Sequence, residues 1–178
     1  MSNTTDWLAA ISALISAAGG AFAARAAFLS AKSARDAQRA ADDAERRASL
    51  REIGLLASAV VVEEQRISNL TVQLKLGYQA IGVFSGSTGN SAIAQCIAQA
   101  EEKGQEAHVL AEGSRLFSDG ARSLEQSSMG DIDRVHTRQA AAHKRAVAIR
   151  EELEREQSSV EARNAESRVS RDRTRLAR

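Results

Sequence analysis

From Trp7 to Ala24 the chain carries no charged residue and no proline, only Ala, Ser, Gly, Leu, Ile, one Phe and the leading Trp. Extended through Arg25 to Leu29, the run reaches the length of roughly 20 residues that a helix needs to cross a hydrocarbon core of about 30 Å. Leu8, Ile11, Leu14, Ile15 and Phe22 each favour transfer into a bilayer by about 0.3–0.6 kcal/mol, whereas an arginine held at mid-membrane costs about 2.5–3.5 kcal/mol. Arg25 must therefore lie near an interface, with its stem in the apolar layer and its guanidinium in water. Residues 1–29 are expected to form a transmembrane anchor carried by Trp7, Leu8, Ile11, Leu14, Ile15, Phe22 and Arg25.

Three other readings compete for this segment. Ala21-Phe22-Ala23 could serve as a signal-peptide cleavage site, but no Lys or Arg precedes Trp7 and Asp6 does. A heptad seam through Leu8, Ile11, Ile15, Ala18 and Phe22 would suit a helix buried between subunits. A helix lying flat on a membrane would need a charged face, and none exists before Arg25. If the segment spans, Arg25, Lys32, Arg35 and Arg39 on its C-terminal side place the N-terminus outside and the body in the cytoplasm. Ser12, Ser16, Gly20 and Ala24 lie four apart, a small-residue stripe along which two membrane helices can approach closely.

The rest of the chain reads as helix. Among 178 residues there is no proline, and aromatics make up 3%. An interior proline costs a helix about 3 kcal/mol, so its absence suits long uninterrupted helices. Few aromatics leave little material for a deep apolar substrate pocket. The 24 Lys and Arg against 23 Asp and Glu give no global attraction to nucleic acid. A lone cysteine, Cys96, rules out an internal disulfide framework.

Residues 30–49 are expected to form an Ala-seam stalk, with Ser30, Ala34, Ala37, Ala41, Ala44 and Ala48 at alternating spacings of four and three, or equally a solvated single helix held by alanine propensity and i,i+4 charge pairs. Residues 50–160 form the body. Its first helix carries the seam Ile53, Val60, Ile67, Leu74 and Ile81, with Glu64 close beside it and Glu63 expected on another face. A glycine-rich turn follows, Phe84 to Ser91. The second helix is expected over about 91–126 and the third from Asp131, which is expected to cap it. Ile132, Val135, Ala142, Ala146, Ile149, Leu153 and Val160 line the third. Two short connections predict an all-α, antiparallel up-down-up arrangement of three helices. Residues 161–178 are an arginine-rich extension or tail, in which Arg163, Arg168, Arg171, Arg173, Arg175 and Arg178 could contact an acidic partner.

No catalytic, cofactor-binding or metal-ligating constellation is found. His136 and His143 lie seven apart on a helix, too far for one chelating pair, and Asp133 with His136 lacks a second such pair. Cys96 reads as a small core residue. Gly86 to Ser91 lacks the lysine of a P-loop and follows a helix instead of a strand. The expectation is a non-enzymatic, single-pass inner-membrane protein whose helical body self-associates or docks a protein partner. The expected partners are the lipid bilayer, further copies of the chain and an unidentified protein; nucleic acid is not expected. One alternative is a membrane-active phage or toxin-like protein (a pore, lysis or ejection component) whose Ala/Gly segment oligomerises in a bilayer. Another is a soluble coiled-coil adaptor or virion component, cytoplasmic or in a virion, with residues 7–29 buried in an oligomer.

Overall fold

The computed structural model describes residues 3–84, 91–118 and 121–176; the side chains of 3–6, 8–18, 21, 84 and 172–176 lie outside the description. The described residues form three α-helices and no strand: α1 (Asn3–Phe84), α2 (Ser91–Ser118) and α3 (Met129–Leu176), with a single 3-10 turn at Arg122–Leu124. The chain divides into two compact units, 1–47 and 48–178. In the first, every described side chain from Phe22 to Glu45 is exposed to solvent.

The second unit is a three-helix bundle with two antiparallel neighbours and one parallel pair. Along α1 and α2, Glu64 pairs with His108 and Lys75 with Glu101, so the two helices run in opposite directions. Along α1 and α3, Glu52 pairs with His136, Glu63 with Arg150 and Gln73 with Gln157, so these run the same way. The layout is therefore up-down-up.

Three heptad ladders explain why these helices bury the faces they do. Ile53, Val60, Ile67 and Leu74 are fully buried on α1, with Ile81 partly so. On α2 the buried ladder is Ala100, Ala107 and Ser114, and a further step of seven reaches buried Ala121 past the helix end. Ile132, Gln139, Ala146, Leu153 and Val160 form the ladder of α3. Large residues on α1 thus face small ones on α2, which lets the backbones come close while the apolar side chains leave water, at about 1.5–3 kcal/mol for each large residue buried.

The core is split into two apolar clusters. One joins Leu50, Ile53, Ala121 and Ile132. The other runs from Ile67 to Tyr78 on α1, across Ala100 and Ala107 on α2, and from Ala146 to Val160 on α3. Between the clusters each helix contributes a buried polar residue: Glu63, Ser114 and Gln139.

Several local expectations are corrected. Glu63, expected away from the seam, is buried, while Glu64 is only partly covered. The reason is spacing, since Glu63 is three residues after Val60 and four before Ile67 and so falls on the core face. The second helix ends at Ser118, not near 126. There Ala121 adopts a left-handed backbone (φ 56°) and its N–H donates to the Phe117 carbonyl, turning the chain out of the helix. The cap of α3 is Ser128, not Asp131. The Ser128 hydroxyl accepts from the Asp131 N–H (3.2 Å) and donates to the Asp131 carboxylate (2.7 Å), a reciprocal capping arrangement. That hydroxyl, with Arg134 nearby, holds the Asp131 carboxyl below the usual range.

Candidate association surfaces

Trp7 and Phe22 are exposed, and so are Gly20, Ala24 and Arg25. Leu8, Ile11, Leu14, Ile15, Ser12 and Ser16, expected in the anchor and its small-residue stripe, have side chains outside the described set. Phe28 and Leu29 are also exposed, at 70% and 54%. Trp7, Phe22, Phe28 and Leu29 are thus large apolar side chains exposed within the first unit. Among the described residues no helix is long and apolar enough to cross a membrane.

In the bundle several charged residues face one another. Arg145 grips Glu106 with two bonds, 2.6 and 2.8 Å, and this pairing holds the Glu106 carboxyl below the usual range. Lys103 lies 3.2 Å from Glu152 and 3.9 Å from Glu156. Arg150, its guanidinium pushed up chiefly by Glu154, lies 2.8 Å from buried Glu63. Each such pair ties one helix to another or one turn to the next. Removing one partner of the buried Glu63–Arg150 pair would leave an uncompensated charge at depth.

Two further polar contacts join the helices at depth. The Ser114 hydroxyl donates to Gln139 Oε1 at 2.7 Å, and both side chains are buried. Each is the polar member of its own apolar ladder, so one register alone lets them satisfy each other. The Tyr78 hydroxyl donates to Glu156 at 2.7 Å, and burial, reinforced by that carboxylate, pushes the phenol well above its ordinary pKa. Cys96 is half-buried beside the same cluster.

Among the described residues no three His, Cys, Asp or Glu side chains could share a metal ion. A groove of about 370 Å³ between α1 and α2, lined in part by Glu64, Thr71, Glu101 and His108, is open to solvent. In it Gly104 faces Thr71, whose hydroxyl would lie 3.1 Å from an added Cβ. His136 Nε2 lies 3.3 Å from a Glu52 carboxylate oxygen.

Beyond the packed region α3 continues as helix, and Arg163, Arg168 and Arg171 are exposed along it. The side chains of Arg173 and Arg175, and all of Arg178, lie outside the described residues. Sequence spacing alone missed Tyr78, although it stands four residues after Leu74 on the seam. It also missed Gln139 and Ser114, whose signal is a polar residue at a heptad position. No family model, curated protein or solved structure matches the chain.

Proposed function

We propose that this chain is a non-enzymatic interaction protein, held in the inner membrane by residues 7–29, with the 48–178 bundle as a cytoplasmic association body. The observation that carries this reading is that large apolar side chains stand exposed on the first unit, where every described side chain from Phe22 to Glu45 is exposed. The bundle has a buried core of its own, including Ile, Leu, Val and Tyr, and on the first unit Phe22, Phe28 and Leu29 lie exposed. Phe22 lies within the uncharged run from Trp7 to Ala24 and Phe28 and Leu29 just beyond it, and a bilayer would supply apolar surroundings for that run. The charge following the run, Arg25 to Arg39, favours retention of the body on the cytoplasmic side. Support for a non-enzymatic reading comes from Ser114 with Gln139, Tyr78 with Glu156 and Glu63 with Arg150, polar groups at depth that are engaged with one another.

Membrane fractionation of the full chain tests this. The protein is expected in the membrane pellet after high salt and alkaline washing, and extractable by detergent. Recovery of the full chain in the soluble fraction without detergent would refute the anchor. The competing view, with residues 7–29 buried between subunits of a soluble assembly, gains support from the Ala seam of 30–48; it predicts a large soluble oligomer in the same experiment.

A further inference from the structure

The outward face of α1 in the bundle carries large apolar residues at heptad spacing among uncharged polar ones. Leu55, Val62, Leu76 and Val83 stand seven or fourteen residues apart and are each more than half exposed, Leu55 at 66% and Leu76 at 61%. Asn69 fills the missing step of seven, and Val72, also exposed, lies three residues beyond it. These positions are displaced by two residues from the buried ladder Ile53, Val60, Ile67 and Leu74, so they look away from α2 and α3. A sustained heptad on a face that the bundle's own core does not use is the pattern of a coiled-coil seam. Along the sequence, the same count of seven leads back from Leu55 through Ala48, Ala41 and Ala34.

We infer that a second copy of this chain docks on this face, parallel and in register, through Leu55, Val62, Asn69, Val72, Leu76 and Val83. The inference deepens the association reading above and does not depend on the membrane anchor. Asn69 identifies the occupant. Covered by an apolar helix, its amide would be desolvated with no partner, which is unfavourable. Opposite Asn69 of a second copy, each amide finds the other's donor or acceptor, and this happens only when the two helices are parallel and unshifted.

Charge on this face agrees. The intervening seam positions Ser58, Gln65, Val72 and Gln79 are uncharged. Arg66 is engaged by Glu63 and Lys75 by Glu101 within one chain, so neither sets an unmatched charge against its copy. Arg51 marks the N-terminal limit of the stripe and has a stem long enough to turn its charge to water. At 1.5 Å per residue the stripe from Leu55 to Val83 is roughly 42 Å long. Four of every seven positions then give about 17 contact residues a side, near the roughly 20–30 of a standard interface.

The test uses the full chain in mild detergent. Sedimentation equilibrium is expected to show a dimer, and Leu55→Glu combined with Leu76→Glu to shift it to monomer at least tenfold in dissociation constant. Both residues are exposed, so helicity and melting of the variant should match the parent, which separates lost docking from lost folding. In a Cys96→Ser background, Asn69→Cys should form an interchain disulfide on mild oxidation at least ten times faster than Ser158→Cys on α3. A monomeric parent, a dimer indifferent to the double substitution, or equal cross-linking at the two cysteines would each overturn the inference. A dimer that persists in a chain found entirely outside membranes would refute the anchor and leave this interface standing.

Discussion

Gly77→Ala sets two effects of known size against each other. In a helix with free space beside it, replacing glycine by alanine stabilises by about 1 kcal/mol, because the glycine chain loses more freedom on folding. At Gly77 there is no free space: an added Cβ would lie 2.6 Å from Val160 Cγ1 on α3. Val160 is buried and β-branched, so it has few rotamers into which to retreat. Overpacking of this kind costs about 1–3 kcal/mol, which cancels or outweighs the gain. Gly113 supplies the control, since nothing lies within 4 Å of its added Cβ. Gly113→Ala should stabilise by about 0.5–1 kcal/mol and Gly77→Ala should destabilise by up to about 2 kcal/mol. Urea unfolding followed by far-ultraviolet circular dichroism reads both. In a Val160→Ala background the obstruction is gone, so Gly77→Ala should become stabilising. If Gly77→Ala and Gly113→Ala stabilise alike, α1 and α3 do not approach at Gly77 and the helix pairing described above is wrong.

Ile67 is fully buried at the head of the larger cluster, so Ile67→Ala should cost about 2–5 kcal/mol of unfolding free energy, whereas Val169→Ala, on the exposed part of α3, should cost little. Ser114→Ala strands the Gln139 amide and should cost about 1–3 kcal/mol, while Ser114→Ala with Gln139→Leu should recover most of that loss; a double variant as unstable as the single one would show that the pair is not a coupled unit. Tyr78 is the single tyrosine, so phenolate absorbance reports it alone. Its raised folded pKa means that its contribution to stability is fully present below the ordinary value of about 10 and is lost as pH rises through the folded value. Phenolate should therefore appear only at strongly alkaline pH, together with unfolding, and earlier in Glu156→Gln; titration near the ordinary value in the folded protein would contradict the Tyr78–Glu156 contact.

The helical class and the seam positions were legible because they depend only on local facts. A proline-free chain with Ile53, Val60, Ile67 and Leu74 at steps of seven has one simple way to bury those side chains, and the structure buries all four. Partnering between helices was less legible. Spacing places Ser114 and Gln139 on the core faces of α2 and α3, but that they meet follows from the axial offset of the two helices, which the loop sets. Glu63 is the same case: its charge argued for solvent, and Arg150 from another helix is what makes burial tolerable. The end of α2 was misread because the left-handed residue that stops it is an alanine, Ala121, whose type gives no such signal. The apolar outward face of α1 was in the sequence as well, hidden by its overlap with a helix already assigned to the core.

The anchor is the central claim, and Trp7, the single tryptophan, stands at its edge. The direct measurement is Trp7 emission in the full chain reconstituted into lipid vesicles, with quenchers carried either on the lipid or in the water. Blue-shifted emission is expected, quenched by a lipid-borne group near the interface and little affected by aqueous iodide. Leu55→Glu with Leu76→Glu is expected to leave this emission unchanged. Emission that stays red and yields to iodide would contradict the anchor, and so would emission shifted to the blue but untouched by the lipid quencher, which would place Trp7 inside a protein interface.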